Sequence, residues 1–325
     1  MNKIAILLST YNGEKYILDQ LNSLEDQSYP HFDLFIRDDA SKDQTLQIIE
    51  KFKSSSQLNI IILPIENNLG AKNSFQSLLT YTVQYKKYQY FMFCDQDDVW
   101  FKDKVLLSYQ KIQELNDTYG TEKPLLVYTD LQVVDENLNI LGKSLWQDFN
   151  LDPKNNSLNY MAMQCNVTGC TMIFNYALIK HSLPFTSATI MHDYWIAMIA
   201  TSLGHIDYLN KQTIAYRQHS HNVSGGADKF SFSYIFQKAM KFFDPNEFHE
   251  VLGRQIIQSE SFLLKYKNNL SDDKIKILEA ITKLPSVSLL KRVYLVVKYK
   301  LYKQGFIRNM GLFLWLIRIP SKLIK

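Results

Sequence analysis

The sequence predicts an α/β protein, a mostly parallel sheet with flanking helices, followed by a helical and basic C-terminal region. Three observations carry that expectation. Strand-length apolar runs alternate with amphipathic helix-length segments through the first hundred residues, which is the pattern of a parallel sheet covered on both faces. A polar cluster follows each apolar run, at the strand ends where such sheets bind ligands. The last third changes to Phe, Tyr, Leu and Lys at helical spacing.

Each element follows in order. KIAILLS (3–9) reads as a strand, and residues 13–26 as a helix with Tyr16, Ile17, Leu21 and Leu24 on one face. DLFIR (33–37) is a second strand. SKDQTLQIIEKF follows as a helix capped by Ser41. LNIIILP (58–64) is a third strand ended by Pro64, residues 70–85 a helix after Gly70, and YQYFMFC (88–94) a fourth strand. LLVYTDLQVVDENLNILG reads as two strands about a turn at Asp135 to Asn139. QCNVTGCTMIFN reads as a strand pair or a strand meeting a Gly turn, and MHDYWIAMIATSLG as a helix from near Asp193. HIDYLNKQTIAYRQH reads as a strand pair running into His219 and His221. VSGGADK (223–229) is a loop that divides a domain of residues 1–225 from a helical region of residues 226–325. There are no internal repeats.

Composition narrows the classes. With 325 residues, 46% hydrophobic and 13% aromatic, the chain can bury a sizeable core. Its three cysteines, Cys94, Cys165 and Cys170, form no CxxC pair, which argues against a disulfide framework or zinc site and fits a reducing cytosol. The first apolar run reads as a strand rather than a signal peptide, and no 18-residue apolar stretch occurs. Net charge is +4, but nine Lys and Arg and no Asp or Glu fall between Lys291 and Lys325. The other 290 residues hold 27 basic and 32 acidic side chains, a net of −5. Residues 289–325 therefore fit a cationic amphipathic helix lying on an anionic membrane. The alternative is a helical bundle packed on the domain or forming a homodimer contact. Aliphatics interleave the basic residues, which speaks against nucleic acid.

The polar clusters suggest chemistry. CDQDDVW (94–100) gathers Asp95, Asp97 and Asp98 at the end of a buried strand. Hard cations such as Mg2+ or Mn2+ take oxygen ligands, and a cation would relieve the repulsion among these carboxylates. The plainer reading is an acidic turn with Asp98 capping a helix near Trp100. In RDDAS (37–41), Asp38 or Asp39 could accept from a nucleotide base or cap a helix. STYNGEKY (9–16) offers backbone N–H groups at a helix start, suited to a phosphate or ribose. Neither GxGxxG nor GxxxxGK[ST] occurs. In MHDYW, aromatic neighbours could desolvate Asp193 and raise its pKa, making it a better base, or Asp193 is a helix cap. His219 and His221 form an i, i+2 pair that is either incidental or a minority metal ligand.

Taken in order, STYNGEKYILDQLNSL, IRDDASKDQT, NNLGAKNSF, DQDDVW, VTGCTMIFN, HDYW and YRQHSHNVSG resemble the family 2 inverting glycosyltransferases of GT-A fold, over residues 1 to 225. The nearest resemblance is to bacterial rhamnosyltransferases of surface polysaccharide assembly. That resemblance implies an Mn2+- or Mg2+-dependent enzyme with a dTDP- or UDP-sugar donor and a lipid-linked saccharide acceptor. It implies that Thr10, Tyr11 and Glu14 line the nucleotide pocket, that Asp39 binds the base, and that Asn73 sits near the donor. Asp95 and Asp97 would form the metal-binding D-x-D, Asp97 foremost, with Asp98 touching a sugar and His219 completing the metal or diphosphate site. Gly169, Cys170 and Trp100 would lie on the acceptor side, and Asp193 would be the general base. The Q-x-x-R-W motif of processive members is missing, which implies single addition. Rhamnose from dTDP-L-rhamnose is the donor preferred by resemblance, with UDP-glucose or UDP-galactose as the alternative. A sugar nucleotidyltransferase would need a Gly-rich basic loop that STYNGEK does not provide. A non-catalytic sugar-nucleotide-binding partner of a synthase would bind without turnover. The expected location is cytoplasmic, peripheral on the inner face of the cell membrane.

Overall fold

The computed structural model describes residues 3–64, 67–85, 87–219 and 245–318. Eight strands form one mixed sheet: β1 (Ile4–Thr10), β2 (Phe32–Asp38), β3 (Ile60–Ile62), β4 (Tyr90–Cys94), β5 (Val99–Trp100), β6 (Leu125–Val134), β7 (Ile173–Asn175) and β8 (His205–Arg217). Their order is β3-β2-β1-β4-β7-β6-β8-β5. The pairs β3/β2, β2/β1 and β1/β4 are parallel, so the ends of β1, β2 and β4 reach one edge together. The strand β7 runs antiparallel between β4 and β6. The helices are α1 (Ile17–Glu25), α2 (Thr45–Ser55), α3 (Gly70–Val83), α4 (Lys104–Tyr119), α5 (Leu145–Asp148), α6 (Leu158–Met163), α7 (Tyr176–Ser182), α8 (His192–Leu203), α9 (Pro245–Tyr266), α10 (Asp272–Lys283), α11 (Leu289–Lys298) and α12 (Phe306–Arg318).

Strand side chains alternate faces, and the core divides accordingly. Ile4, Ile6, Leu8, Leu34, Ile36 and Met92 pack on α1, α2 and α4. Ala5, Leu7, Phe35, Phe91, Phe93 and Phe174 face α3, α8 and the C-terminal helices. Leu252, Phe262, Ile281, Val296, Leu312 and Trp315 belong to this second core, so the C-terminal helices are packed on the sheet domain. The boundary expected near residue 225, the VSGGADK loop and His221 lie outside the described residues.

Four local expectations are corrected. Ser41 does not cap α2. Its Oγ donates to Asp38 Oδ1 (2.6 Å), while Asp43 Oδ1 accepts from the Thr45 N–H (3.1 Å) at the start of the helix. Asp98 caps no helix, because Val99–Trp100 pairs with β8 and α4 begins only at Lys104. The segment 125–142 forms one long strand rather than two. Asp135 closes the turn by accepting from the Asn137 and Asn139 N–H groups, and the returning chain makes a single bridge, Val134 to Ile140. Residues 205–217 are likewise one strand, kept in register with β6 by irregularities between Thr129 and Gln132.

Candidate active site

The converging ends of β1, β2 and β4 meet the starts of α3 and α8 around a cavity of about 450 Å³. Its walls include Ser9, Thr10, Tyr11, Asp39, Asn68, Asp95, Gln96, Asp97, Thr168, Gly169, His192, Asp193 and Tyr216. One wall is locked by side-chain to backbone bonds. Gln96 Oε1 accepts from the Tyr11 N–H (2.8 Å), and Gln96 Nε2 donates to the Tyr11 carbonyl (3.0 Å). A Cβ on Gly13 would lie 2.3 Å from Gln96 Oε1, so the close approach requires glycine there. Asp39 is buried beside Arg37, and its two oxygens accept from the Leu69 and Gly70 N–H groups (2.8 Å each). Asp39 therefore holds the start of α3 while facing the cavity, and Gly70 takes the left-handed φ of +72° that this turn needs.

Asp95 and Asp97 project from the end of β4 into the cavity. Burial, then the neighbouring charges of Asp97 and Asp193, pushes Asp95 up to about 7. Desolvation is the main cause of that elevation, and the like charges add to it. Asp97 Oδ2 lies 2.9 Å from His219 Nε2, and His219 stacks on Tyr16. Asp95 and Asp97, with His219 beside them, fit a hard divalent cation by donor type. A second grouping, Asp95, Asp98 and Cys170, comes within 4.8 Å, but it suits such an ion poorly. Cys170 is fully buried, and burial raises its thiol pKa well above the ordinary value. A protonated thiol is a poor ligand for Mg2+ or Mn2+.

Behind the carboxylates, Lys104 is wholly buried with its Nζ 4.5 Å from the centre of the Trp100 ring. Burial lowers its pKa to about 8, and the charges of Cys170, Cys94 and Asp98 work against that fall. Asp98 is also buried, and burial followed by Asp97 and Asp95 raises its pKa well above the carboxylate range. Arg217, at the end of β8, ties the acidic loop down. It donates to the Asp97 carbonyl (2.9 Å), the Glu136 carbonyl (2.6 Å) and Asp19 Oδ2 (2.8 Å), while its own N–H meets Asp98 Oδ1 (3.1 Å).

Across the cavity, Asp193 sits in the first turn of α8, whose cap is Met191. Its Oδ1 accepts from the Tyr194 N–H (2.7 Å) and its Oδ2 from the Gly169 N–H (3.2 Å). Burial raises its pKa to about 6, against those two bonds. A base at that pKa is ionised at neutral pH yet basic enough to take a hydroxyl proton. Beside it, His192 is buried between Phe75 and Phe93 (ring centroids 4.1 and 4.7 Å away), and burial lowers its pKa to about 3, so it is neutral. Gly169 packs so closely that a Cβ there would lie 2.9 Å from His192 Nε2.

Thr10, Tyr11, Asp39, Asp95, Asp97, Gly169 and Asp193 are thus brought together as expected from the sequence. Others are not. Glu14 points to α2, accepting from the Gln44 N–H (2.9 Å). Asn73 is exposed on α3 and donates to the Leu69 carbonyl, while Asn68 takes the place on the wall. Asp98, Cys170 and Trp100 are buried and do not line the cavity. His219 reaches Asp97 without lining the wall. Gln96 and Arg217 were missed. Gln96 stands between the two D-x-D carboxylates, and Arg217 is a lone Arg at the end of a strand next to the expected His.

The site is thus a carboxylate pair at a sheet edge that shares a ligand-sized cavity with a desolvated carboxylate. The chain belongs to Glycosyl transferase family 2, whose model matches residues 5–179. It is 29% identical to the dTDP-rhamnosyl transferase RfbG of Shigella flexneri over 229 residues, 70% of this chain and 76% of that one. It is 27% identical to the UDP-Glc:alpha-D-GlcNAc-diphosphoundecaprenol beta-1,3-glucosyltransferase WfaP of Escherichia coli, covering 71% of this chain and 82% of WfaP. The match to the Staphylococcus aureus poly(ribitol-phosphate) beta-N-acetylglucosaminyltransferase TarS reaches 36% identity, over 30% of this chain and 17% of TarS. In fold, the chain resembles TarS 1-349 in complex with UDP-GlcNAc (TM-score 0.52, 18% identity, 92% of this chain and 89% of that one). It also resembles the mannosyltransferase PcManGT of Pyrobaculum calidifontis in complex with GDP-Man and Mn2+ (TM-score 0.53, 13% identity, 97% and 85%).

Proposed function

We propose that the protein transfers one sugar, L-rhamnose from dTDP-L-rhamnose, with inversion onto a lipid-linked saccharide in cell-surface polysaccharide biosynthesis. The observation that carries this reading is the placement of Asp193, raised to about 6, across one cavity from Asp95 and Asp97. The acceptor hydroxyl oxygen attacks the anomeric carbon as Asp193 takes its proton. The bond to the diphosphate oxygen breaks, and its electron pair leaves with the nucleoside diphosphate. Attack from the face opposite the leaving group inverts the configuration. Asp95, Asp97 and His219 would hold Mn2+ or Mg2+, which supplies charge neutralisation for the diphosphate when bound. Thr10, Tyr11 and Asp39 face the nucleotide. RfbG supports dTDP-rhamnose as donor, while WfaP, named for UDP-Glc, favours a second reading with the same chemistry and a UDP-hexose.

Peripheral attachment to the inner face of the cell membrane belongs to the same proposal. Among the described residues no helix is long and apolar enough to cross a membrane. The tail forms two helices, α11 and α12, rather than one. Leu290, Tyr294 and Val297 on α11, and Phe306, Ile307, Met310 and Ile317 on α12, are exposed among cations. Replacing the exposed Leu290, Val297, Phe306 and Ile307 with Gln should move the protein from membrane pellet to soluble fraction, and no movement would sink this part of the proposal.

The experiment that tests the reaction is donor hydrolysis by purified protein across dTDP- and UDP-sugars, with Mn2+, Mg2+ or EDTA. Metal-dependent release of dTDP from dTDP-rhamnose alone, lost in Asp97→Ala, is the expected result. Release of UDP instead would retain the transferase and discard rhamnose. Donor binding with no release, even with acceptor lipid extracts added, would favour a binding module.

A further inference from the structure

Asp193, Thr168 and Tyr216 line not one cavity but two. The second, about 370 Å³, also has Asp193 in its wall, but neither Asp95 nor Asp97. Its walls are of a different kind. Val133, Leu145, Phe149 and Leu151 give an apolar floor, Gln164, Asn166 and Gln218 give amides, and among the described residues the one cation in its walls is Arg308. Arg308 comes from α12, far along the chain from the other wall residues.

The chain is fastened so that Arg308 reaches this place. Gln304 Oε1 accepts from the Asp152 N–H (2.5 Å), and the Gln304 N–H meets Gln164 Oε1 (2.9 Å). Asn159 Nδ2 donates to the Lys300 carbonyl (2.9 Å). Gly305 then turns the chain into α12 at a φ of +84°, close against Arg308 Nη1 and Asn150. The Arg308 guanidinium donates to the Gln304 carbonyl (2.8 Å), and no carboxylate pairs with it among the described residues. Lys303 is buried nearby, its pKa lowered to about 8 by burial and then by the charge of Arg308. The Arg308 guanidinium at the wall of an amide-lined cavity favours an anion.

We propose that this second cavity is the acceptor site and that Arg308 binds a phosphate ester adjoining the acceptor sugar. The inference rests on the transferase reading, since it places the acceptor hydroxyl against Asp193, which both cavities share. The apolar floor suits the alkyl side of a lipid phosphate, and the amides suit sugar hydroxyls. The C-terminal helices then belong to the active site as well as to the membrane-facing surface.

The test uses full-length protein first saturated with dTDP or UDP and Mn2+, so that the donor cavity is filled. Decyl diphosphate and inorganic pyrophosphate are then titrated calorimetrically, with decyl maltoside as the uncharged control. Both anions should bind, and decyl diphosphate should bind more tightly than the uncharged control. Arg308→Gln should weaken the anions roughly 10- to 100-fold, as loss of a charge-assisted hydrogen bond does, and Arg308→Lys should recover most of that loss. Tighter binding of decyl diphosphate than of pyrophosphate identifies a lipid-borne phosphate, and equal binding a free phosphate ester. Absence of anion binding in wild type, or equal affinity in wild type and Arg308→Gln, would overturn the proposal. Failure of the transferase reading would show separately, as no release of nucleoside diphosphate from any donor by the wild-type protein.

Discussion

The two cavities that meet at Asp193 share three wall residues and little else. The first is built from the ends of β1, β2 and β4, and its character is negative charge held by backbone donors and by Arg217. The second is built from the β6 end, the 145–168 loops and α12, and its character is apolar with a single cation. The difference separates two tasks. On the function proposed above, the first site would bind the donor diphosphate with its cation and the second would choose and aim the acceptor. The shared chemistry would then sit on the sheet edge, and the choice of acceptor would fall to segments outside it.

The contrast can be broken or sharpened by substitution. The largest effect belongs to the shared wall. Asp193→Asn should reduce transfer by about 10²–10⁴-fold, the usual contribution of a placed base, while donor binding measured by calorimetry persists. Loss of binding together with turnover would make Asp193 a structural residue. Arg217→Gln acts only on the first cavity. It frees the carbonyl of Asp97 and should weaken Mn2+ binding on the order of 10–100-fold, as removal of a residue that orients metal ligands does. Gly169→Ala forces His192 or Asp193 to shift. A drop in transfer of about 10-fold is expected from such misplacement, with donor affinity little changed.

A smaller effect concerns stability. Asp193 has a folded pKa of about 6 against an ordinary 3.8, so the folded state holds this proton more tightly than the unfolded chain. The associated stability is present below about pH 4 and is lost as pH rises through 6. Asp193→Asn should therefore melt higher than wild type at pH 8, with the advantage shrinking towards pH 4. An advantage that grows on acidification would contradict the desolvated carboxylate.

The same contrast explains what could be read from the sequence. The first cavity was legible because strand periodicity is local, and the ends of successive parallel strands must converge. Asp95, Asp97, Asp39 and Asp193 were found that way or by the ordered motifs. Sequence could not show which way a loop side chain turns. Glu14 and Asn73 satisfy nearby backbone groups instead of facing the cavity, and Asp98, Cys170 and Trp100 turn into the core. Residues 205–217 were read as a strand pair, yet β8 runs on without a turn, and the turn expected at Asp135 to Asn139 does form but leads back into a single bridge rather than a second strand. Arg308 was out of reach for a different reason. Its place depends on Gln304 meeting Asp152 and Gln164, contacts that no local pattern reports.

The central claim is that Asp193 is the base standing between donor and acceptor. The most direct test is the pH dependence of donor hydrolysis, where water replaces the acceptor and needs the same proton removed. With Mn2+ and saturating donor, the rate should be level above pH 7 and fall about tenfold per pH unit well below 6, as the carboxylate takes up its proton. A rate that stays level down to pH 4.5, or one that is unchanged in Asp193→Asn, would contradict the claim.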